Sequence, residues 1–131
     1  MTPSGSPPVV LVVDDDEDIR DVIREVLSLR GYRVIALADG RQALEWLRAG
    51  GQACVILLDL MMPEMTGWEF RREQLRDPSL ADIPVVILSG AGGLAGKVES
   101  LAPAATLPKP VDLAGLTAAV ARHCYSGAQL P

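Results

Sequence analysis

The 131-residue chain predicts an α/β fold, a parallel sheet covered by helices on both faces. Three observations carry that reading. Short runs rich in Val, Ile and Leu alternate five times with stretches of helical periodicity. The run at residues 54–58 is apolar up to Asp59 at every position, as in a central strand buried on both faces. Four of the runs end on a reactive polar group: Val9–Val13 on Asp14-Asp15, residues 55–58 on Asp59, residues 85–88 on Ser89, and residues 104–107, through Pro108, on Lys109. Ligands of open parallel sheets bind beyond the carboxyl ends of the strands, so these groups are expected at one edge.

The elements follow in order. Residues 1–8, Met-Thr-Pro-Ser-Gly-Ser-Pro-Pro, read as a disordered leader. After the first strand, Ile19, Val22, Ile23, Val26 and Leu27 recur at i, i+3, i+4, i+7 and i+8, one face of an amphipathic helix. Asp16 caps its start and Gly31 ends it. Arg33–Leu37 forms the second strand. Asp39 caps a helix carrying Ala43, Leu44 and Leu47, and Gly50-Gly51 stops it. Residues 54–58 form the third strand. Thr66-Gly67 leads into a helix through about Arg76, broken by Asp77-Pro78. Pro84 opens the fourth strand, where a missing N–H costs least. Residues 92–101 are expected as a helix weakened by Gly92, Gly93 and Gly96, each costing about 1 kcal/mol against Ala. Residues 104–107 supply the fifth strand. Asp112 caps a final helix with Leu113, Leu116 and Val120 inward, and residues 125–131 form a tail. One domain over 9–124 is expected, with right-handed crossovers.

Composition narrows the function classes. The chain is 49% hydrophobic but only 4% aromatic, so its core is aliphatic. A net charge of −5 argues against broad binding to nucleic acid or anionic membranes. Five of the 17 acidic residues are Asp14-Asp15-Asp16-Glu17-Asp18, directly after a strand, which favours a cation site over a plain solvated face. No run approaches the roughly 18 apolar residues of a membrane span, and the first eight residues lack the features of a signal peptide. A cytoplasmic protein is expected. Cys54 and Cys124 show no metal or redox spacing and are expected as two small packed thiols in a reducing compartment. Trp46 and Trp68 read as packing residues, with Trp46 partly exposed. His123, the single histidine, reads as a favourable charge at a helix C-terminus.

The polar strand ends imply a chemistry. Asp14, Asp15 and Asp59 would lie within several Å, where like carboxylates resist joint ionisation. A divalent cation resolves the conflict, and all-oxygen ligation suits Mg²⁺. Lys109 adds a compact positive charge and Ser89 a hydroxyl. Metal, ammonium and hydroxyl together neutralise the oxygens of a phosphoryl group in transfer. Asp59, on the central strand, is the candidate nucleophile, forming an acyl phosphate.

This set resembles the receiver domain of bacterial two-component response regulators. The matching residues are Val12-Val13-Asp14-Asp15, Leu57-Leu58-Asp59-Leu60-Met61-Met62-Pro63 with Thr66-Gly67, Ile87-Leu88-Ser89-Gly90, and Lys109-Pro110, at successive separations of 45, 30 and 20 residues. The resemblance covers about residues 8–124. It implies a flavodoxin-like (βα)5 doubly wound fold with strand order 2-1-3-4-5. It implies a phosphorylation-dependent switch in which Asp59 takes a phosphoryl group from a phosphohistidine on a sensor histidine kinase or a histidine phosphotransfer protein. By the same match Asp15 binds Mg²⁺, with Asp59, the Met61 backbone carbonyl, and Asp14 directly or through water; Ser89 and Lys109 contact phosphoryl oxygens. Lys109-Pro110 is expected to be cis. Output would pass through an unidentified protein target, by docking or phosphorelay, with a homodimer as an open alternative.

The chain departs from the family at Thr106, where many receivers carry Tyr or Phe, so a relay through a rotating ring is in doubt. An aspartyl-nucleophile phosphohydrolase is disfavoured, because those enzymes carry a second Asp where Met61 stands. A pseudo-receiver scaffold is disfavoured because the acidic-pocket residues are all present. The expectation is therefore a non-enzyme that assists only its own phosphorylation and dephosphorylation. No output domain fits after residue 124, so a stand-alone or excised receiver is expected.

Overall fold

A computed structural model describes residues 7–90 and 101–124. Most of the expected leader, nearly all of the helix expected over 92–101, and the tail at 125–131 lie outside the described residues. Five strands form one parallel sheet: β1 (Val9–Val13), β2 (Arg33–Leu37), β3 (Val55–Asp59), β4 (Val85–Ser89) and β5 (Ala105–Pro108). Their order is β2-β1-β3-β4-β5, as the resemblance implies. The described helices are α1 (Glu17–Leu29), α2 (Gly40–Arg48), α3 (Gly67–Arg76) and α4 (Leu113–Cys124). None of them is long and apolar enough to cross a membrane.

The period-2 alternation of strand side chains divides the core into two layers. Leu11 and Val13, Ile56 and Leu58, and Val85 and Ile87 pack with Ala43, Leu44, Leu47 and Phe70 of α2 and α3. Val10 and Val12, Val55 and Leu57, and Val86 and Leu88 pack with Ile23, Leu27, Leu116 and Val120 of α1 and α4. β3 is buried at all five positions. A strand in the middle of a sheet with helices on both faces has no solvated side, which is why its sequence does not alternate.

Local chemistry sets the helix ends. The Asp16 side chain accepts from the backbone N–H groups of Asp18 and Ile19 at the start of α1. Gly31, at φ +93°, ends that helix in a conformation that disfavours other residues. The Asp39 side chain accepts from Gln42 N. Thr66 and Glu69 form a reciprocal capping box at α3. Asp112 accepts from Gly115 N at α4.

Three expectations need correction. Val22 lies on the periodic face of α1 but is 45% exposed, and Leu113 is 36% exposed. Both sit beside the loop after Lys109 and line a groove with Ile19, Pro110 and Val111, outside the sheet layer. The third concerns the cysteines: Cys54 and Cys124 are joined in a disulfide across 70 residues, with Cα atoms 4.7 Å apart. In a βα sheet the helices run antiparallel to the strands, so the C-terminus of α4 and the residue preceding β3 meet at the same end of the sheet. Spacing along the chain does not reveal that meeting. The closed loop removes on the order of 4 kcal/mol of unfolded-chain entropy.

Candidate functional site

Register builds the site. β1 pairs Val13 with Leu58 of β3, so Asp14 and Asp59 stand next in line on neighbouring strands. Both continue the parity of the α1/α4 layer, after Val10 and Val12 in one strand and Val55 and Leu57 in the other. Lys109 continues the parity of Ala105 and Leu107, and its N–H donates to Ser89 O at 2.8 Å. Three charged groups at the ends of three strands are thereby aimed to one side of the sheet's carboxyl edge.

The resulting geometry is tight. Lys109 Nζ lies 3.0 Å from Asp14 Oδ2 and 3.4 Å from Asp59 Oδ1. Asp14 is fully buried and Asp59 is 5% exposed, whereas Asp15 is exposed. One carboxylate oxygen from each of Asp14, Asp15 and Asp59 falls within 4.8 Å of the others. Asp14 Oδ1 accepts from Asp16 N at 2.9 Å, and the Asp14 carbonyl accepts from Arg20 Nη1 at 2.7 Å. Asp59 Oδ1 accepts from Met61 N at 3.3 Å. Asp14 Oδ2 has the Lys109 charge beside it but no well-aligned hydrogen-bond donor among the described residues. A cavity of about 490 Å³ opens above these groups, lined by Asp15, Asp16, Asp59, Leu60, Met61, Ser89, Gly90 and Lys109.

The electrostatics follow from burial and proximity. Burial pushes the Asp59 carboxyl above its ordinary value, and the Asp14 carboxylate pushes the same way. Lys109 and the Met61 N–H pull it down without cancelling the rise. Burial works against the Lys109 ammonium, but contact with Asp14 and the charge of Asp59 outweigh it and hold its proton above the ordinary value. With all four groups ionised the cluster is left doubly negative, an arrangement that a cation completes.

Chain path fixes the rest. Gly67 opens α3 against the end of β3: a Cβ there would run into the Asp59 carbonyl oxygen and lie 2.7 Å from Leu60 Cα. Only glycine lets α3 start this close to Asp59. The Lys109-Pro110 bond is cis, as expected.

The structure thus brings together Asp15, Asp59, Lys109, Ser89 and Met61 around one cavity, with Asp14 fully buried in contact with Lys109. His123 is half-buried on the last turn of α4, away from this edge. Thr106 is exposed on β5. Sequence reading missed a second buried polar group. The Arg71 guanidinium, 5% exposed, donates to Leu101 O at 2.9 Å, Ala102 O at 3.0 Å and Gln74 Oε1 at 2.7 Å. Gln74 Nε2 in turn donates to Leu80 O and Ile83 O. The only signal in sequence was an Arg and a Gln three residues apart among the exposed charges of α3.

Known proteins share both sequence and shape. The sequence profile of the response regulator receiver domain matches residues 10–121. Response regulator MprA of Mycolicibacterium vanbaalenii is 40% identical over 111 residues, covering 83% of this chain and 47% of that protein. Two-component response regulator ORR11 of Oryza sativa is 42% identical over 85 residues, covering 65% of this chain and 58% of that protein. The chain therefore spans about half the length of the curated relatives it matches. Among solved structures, chemotaxis response regulator CheY4 of Vibrio cholerae superposes with a TM-score of 0.79 at 30% identity, covering 88% of this chain and 98% of that one. The receiver protein of Pseudomonas putida superposes with a TM-score of 0.82 at 27% identity, covering 90% and 98%. By profile, sequence and shape alike, this chain belongs to the response regulator receiver domain family.

Proposed function

We propose that the chain is a phosphorylation-dependent signalling switch in which Asp59 accepts a phosphoryl group from a phosphohistidine of a sensor kinase or histidine phosphotransfer protein. The observation that carries this reading is the buried Asp59 carboxylate on a cavity floor, 3.4 Å from the Lys109 ammonium and beside two further carboxylates. An Asp59 oxygen attacks phosphorus in line; the P–N bond breaks, and the imidazole nitrogen leaves with the electron pair and takes up a proton. The product is an acyl phosphate. Lys109 pairs with a phosphoryl oxygen, and the Ser89 hydroxyl donates to another.

The donor set suits Mg²⁺. Asp15 and Asp59, with Asp14 directly or through water and the Met61 carbonyl, would hold it, and one oxygen from each of the three carboxylates already lies within 4.8 Å of the others. When bound, the ion neutralises charge on the phosphoryl oxygens. The chain is not a turnover enzyme in this reading: Met61 cannot act as the general acid a phosphohydrolase needs. The switch operates in the cytoplasm and reports through a protein partner rather than through nucleic acid or membrane. Incubation with Mg²⁺ and acetyl phosphate, followed by intact mass, tests the reading. Wild type gains the mass of one phosphoryl group and Asp59→Asn gains none; equal gain by both defeats it.

A further inference from the structure

We infer that Cys54 and Cys124 form a reversible thiol–disulfide site that latches the C-terminal helix α4 to the base of the sheet. The site lies at the opposite end of the strands from the acidic cluster. Cys54 immediately precedes β3, and its N–H donates to Val9 O at 2.8 Å, so its backbone is held by the sheet. Cys124 is the last residue of α4 and packs in the α1/α4 layer at 4% exposure. The 4.7 Å separation of their Cα atoms lies in the range a disulfide spans without backbone movement.

Two features make the bond a switch rather than a staple. The core is extensive apart from it: β1, β3 and β4 are buried nearly throughout, and Val, Ile and Leu make up most of both layers, with Cys124 and Cys54 at the edge of one. The two halves also differ in access, since Cys54 is half-buried and Cys124 buried. A small dithiol reaches Cys54 first. Its thiolate attacks Cys54 Sγ, the S–S bond breaks, and Cys124 leaves as a thiolate carrying the electron pair. The second thiolate of the reductant then displaces Cys54 from the mixed disulfide. The reductant is oxidised by two electrons to a cyclic disulfide, and the protein gains two electrons and two protons. Hydrogen peroxide reverses the change: Cys54 becomes a sulfenic acid with release of water, and the Cys124 thiol condenses with it, releasing a second water.

The consequence is local. The 54–124 loop contains both Asp59, five residues beyond Cys54 along β3, and Lys109, on the segment leading into α4. Closing the latch fixes the far ends of the two elements that flank the acidic cluster and fixes the point where the chain runs on past Cys124. Opening it leaves α4 held by noncovalent packing, chiefly of Leu116, Ala119 and Val120.

The wild-type chain carries the first test. It is treated with hydrogen peroxide or with millimolar dithiothreitol under native conditions, then denatured and alkylated, and its mass is recorded. The latch predicts no alkyl groups after peroxide and two after the dithiol, with a melting temperature lower in the reduced form by on the order of 10 °C. Amide exchange over residues 113–124 rises about tenfold on reduction and recovers with peroxide. Cys124→Ser melts at one temperature with or without the dithiol. Two alkyl groups after peroxide, a disulfide-linked dimer, a bond that survives native dithiothreitol, or identical melting of both forms would each overturn the proposal. None of these outcomes bears on Asp59.

Discussion

Asp59 carries two opposed demands. It must be ionised to attack phosphorus, yet burial and Asp14 hold its proton more firmly than in the unfolded chain. A carboxyl with a raised folded value binds more protons folded than unfolded across that interval. Stability of the metal-free protein therefore falls as pH rises from about 4 through the Asp59 titration. Asp59→Asn removes that loss. In the metal-free state at neutral pH the variant is expected to be more stable by about 1 kcal/mol, since one member of a like-charged cluster is gone. Urea titrations of both proteins at pH 4 and 7 check this, and a wild type that gains on the variant with rising pH would contradict it. Lys109→Ala acts in the other direction. Asp14 would keep its burial and lose the ammonium 3.0 Å from its Oδ2, so the variant is expected to lose roughly 2 kcal/mol and to give back part of that loss when Mg²⁺ is added. The single letters Asp14, Asp15, Asp59, Ser89 and Lys109 were all legible in sequence because each ends an apolar run. Arg71 was not: its acceptors are carbonyls thirty residues away, and no pattern along α3 marks it.

Elements place those letters. Strand positions were readable from apolar runs and helix starts from Asp16, Asp39 and Asp112, each of which caps as expected, and from Thr66-Gly67, where Thr66 forms a capping box with Glu69. Helical periodicity proved weaker: it put Val22 and Leu113 inward, where neighbouring loops in fact leave them open. α3 starts hard against the end of β3. Gly67→Ala is expected to cost 2–4 kcal/mol, roughly the price of pushing backbone from backbone, because Asp59 O and Leu60 Cα have no flexible end to yield. Its urea midpoint should fall well below that of Thr66→Ala, which removes only a cap worth about 1 kcal/mol. The Arg71 network is the second element-level joint, tying α3 to residues 101–102 and, through Gln74, to the loop before β4. Arg71→Met strands those carbonyls and should cost about 2–4 kcal/mol. Arg71→Lys should rescue little, since an ammonium cannot reproduce the planar fork.

The whole molecule is a doubly wound sheet whose two ends have separate chemistries. The carboxyl edge gathers charge because register and side-chain parity align Asp14, Asp59 and Lys109; the opposite edge gathers the cysteines because strands start and helices end there. Fold and strand order were legible from alternation and from the resemblance, whereas the disulfide depends on a meeting across 70 residues that no local pattern encodes. Cation binding should couple to global stability, with Mg²⁺ at one hundred times its dissociation constant adding about 2.7 kcal/mol to wild type and far less to Asp59→Asn. The most direct measurement is borohydride trapping after phosphorylation, which converts an aspartyl phosphate to homoserine and marks its position in the peptide map. Homoserine at position 59 alone, formed only when Mg²⁺ accompanies the phosphodonor, is the predicted result. Homoserine at another aspartate, phosphate on His123, or no trapped residue would contradict it.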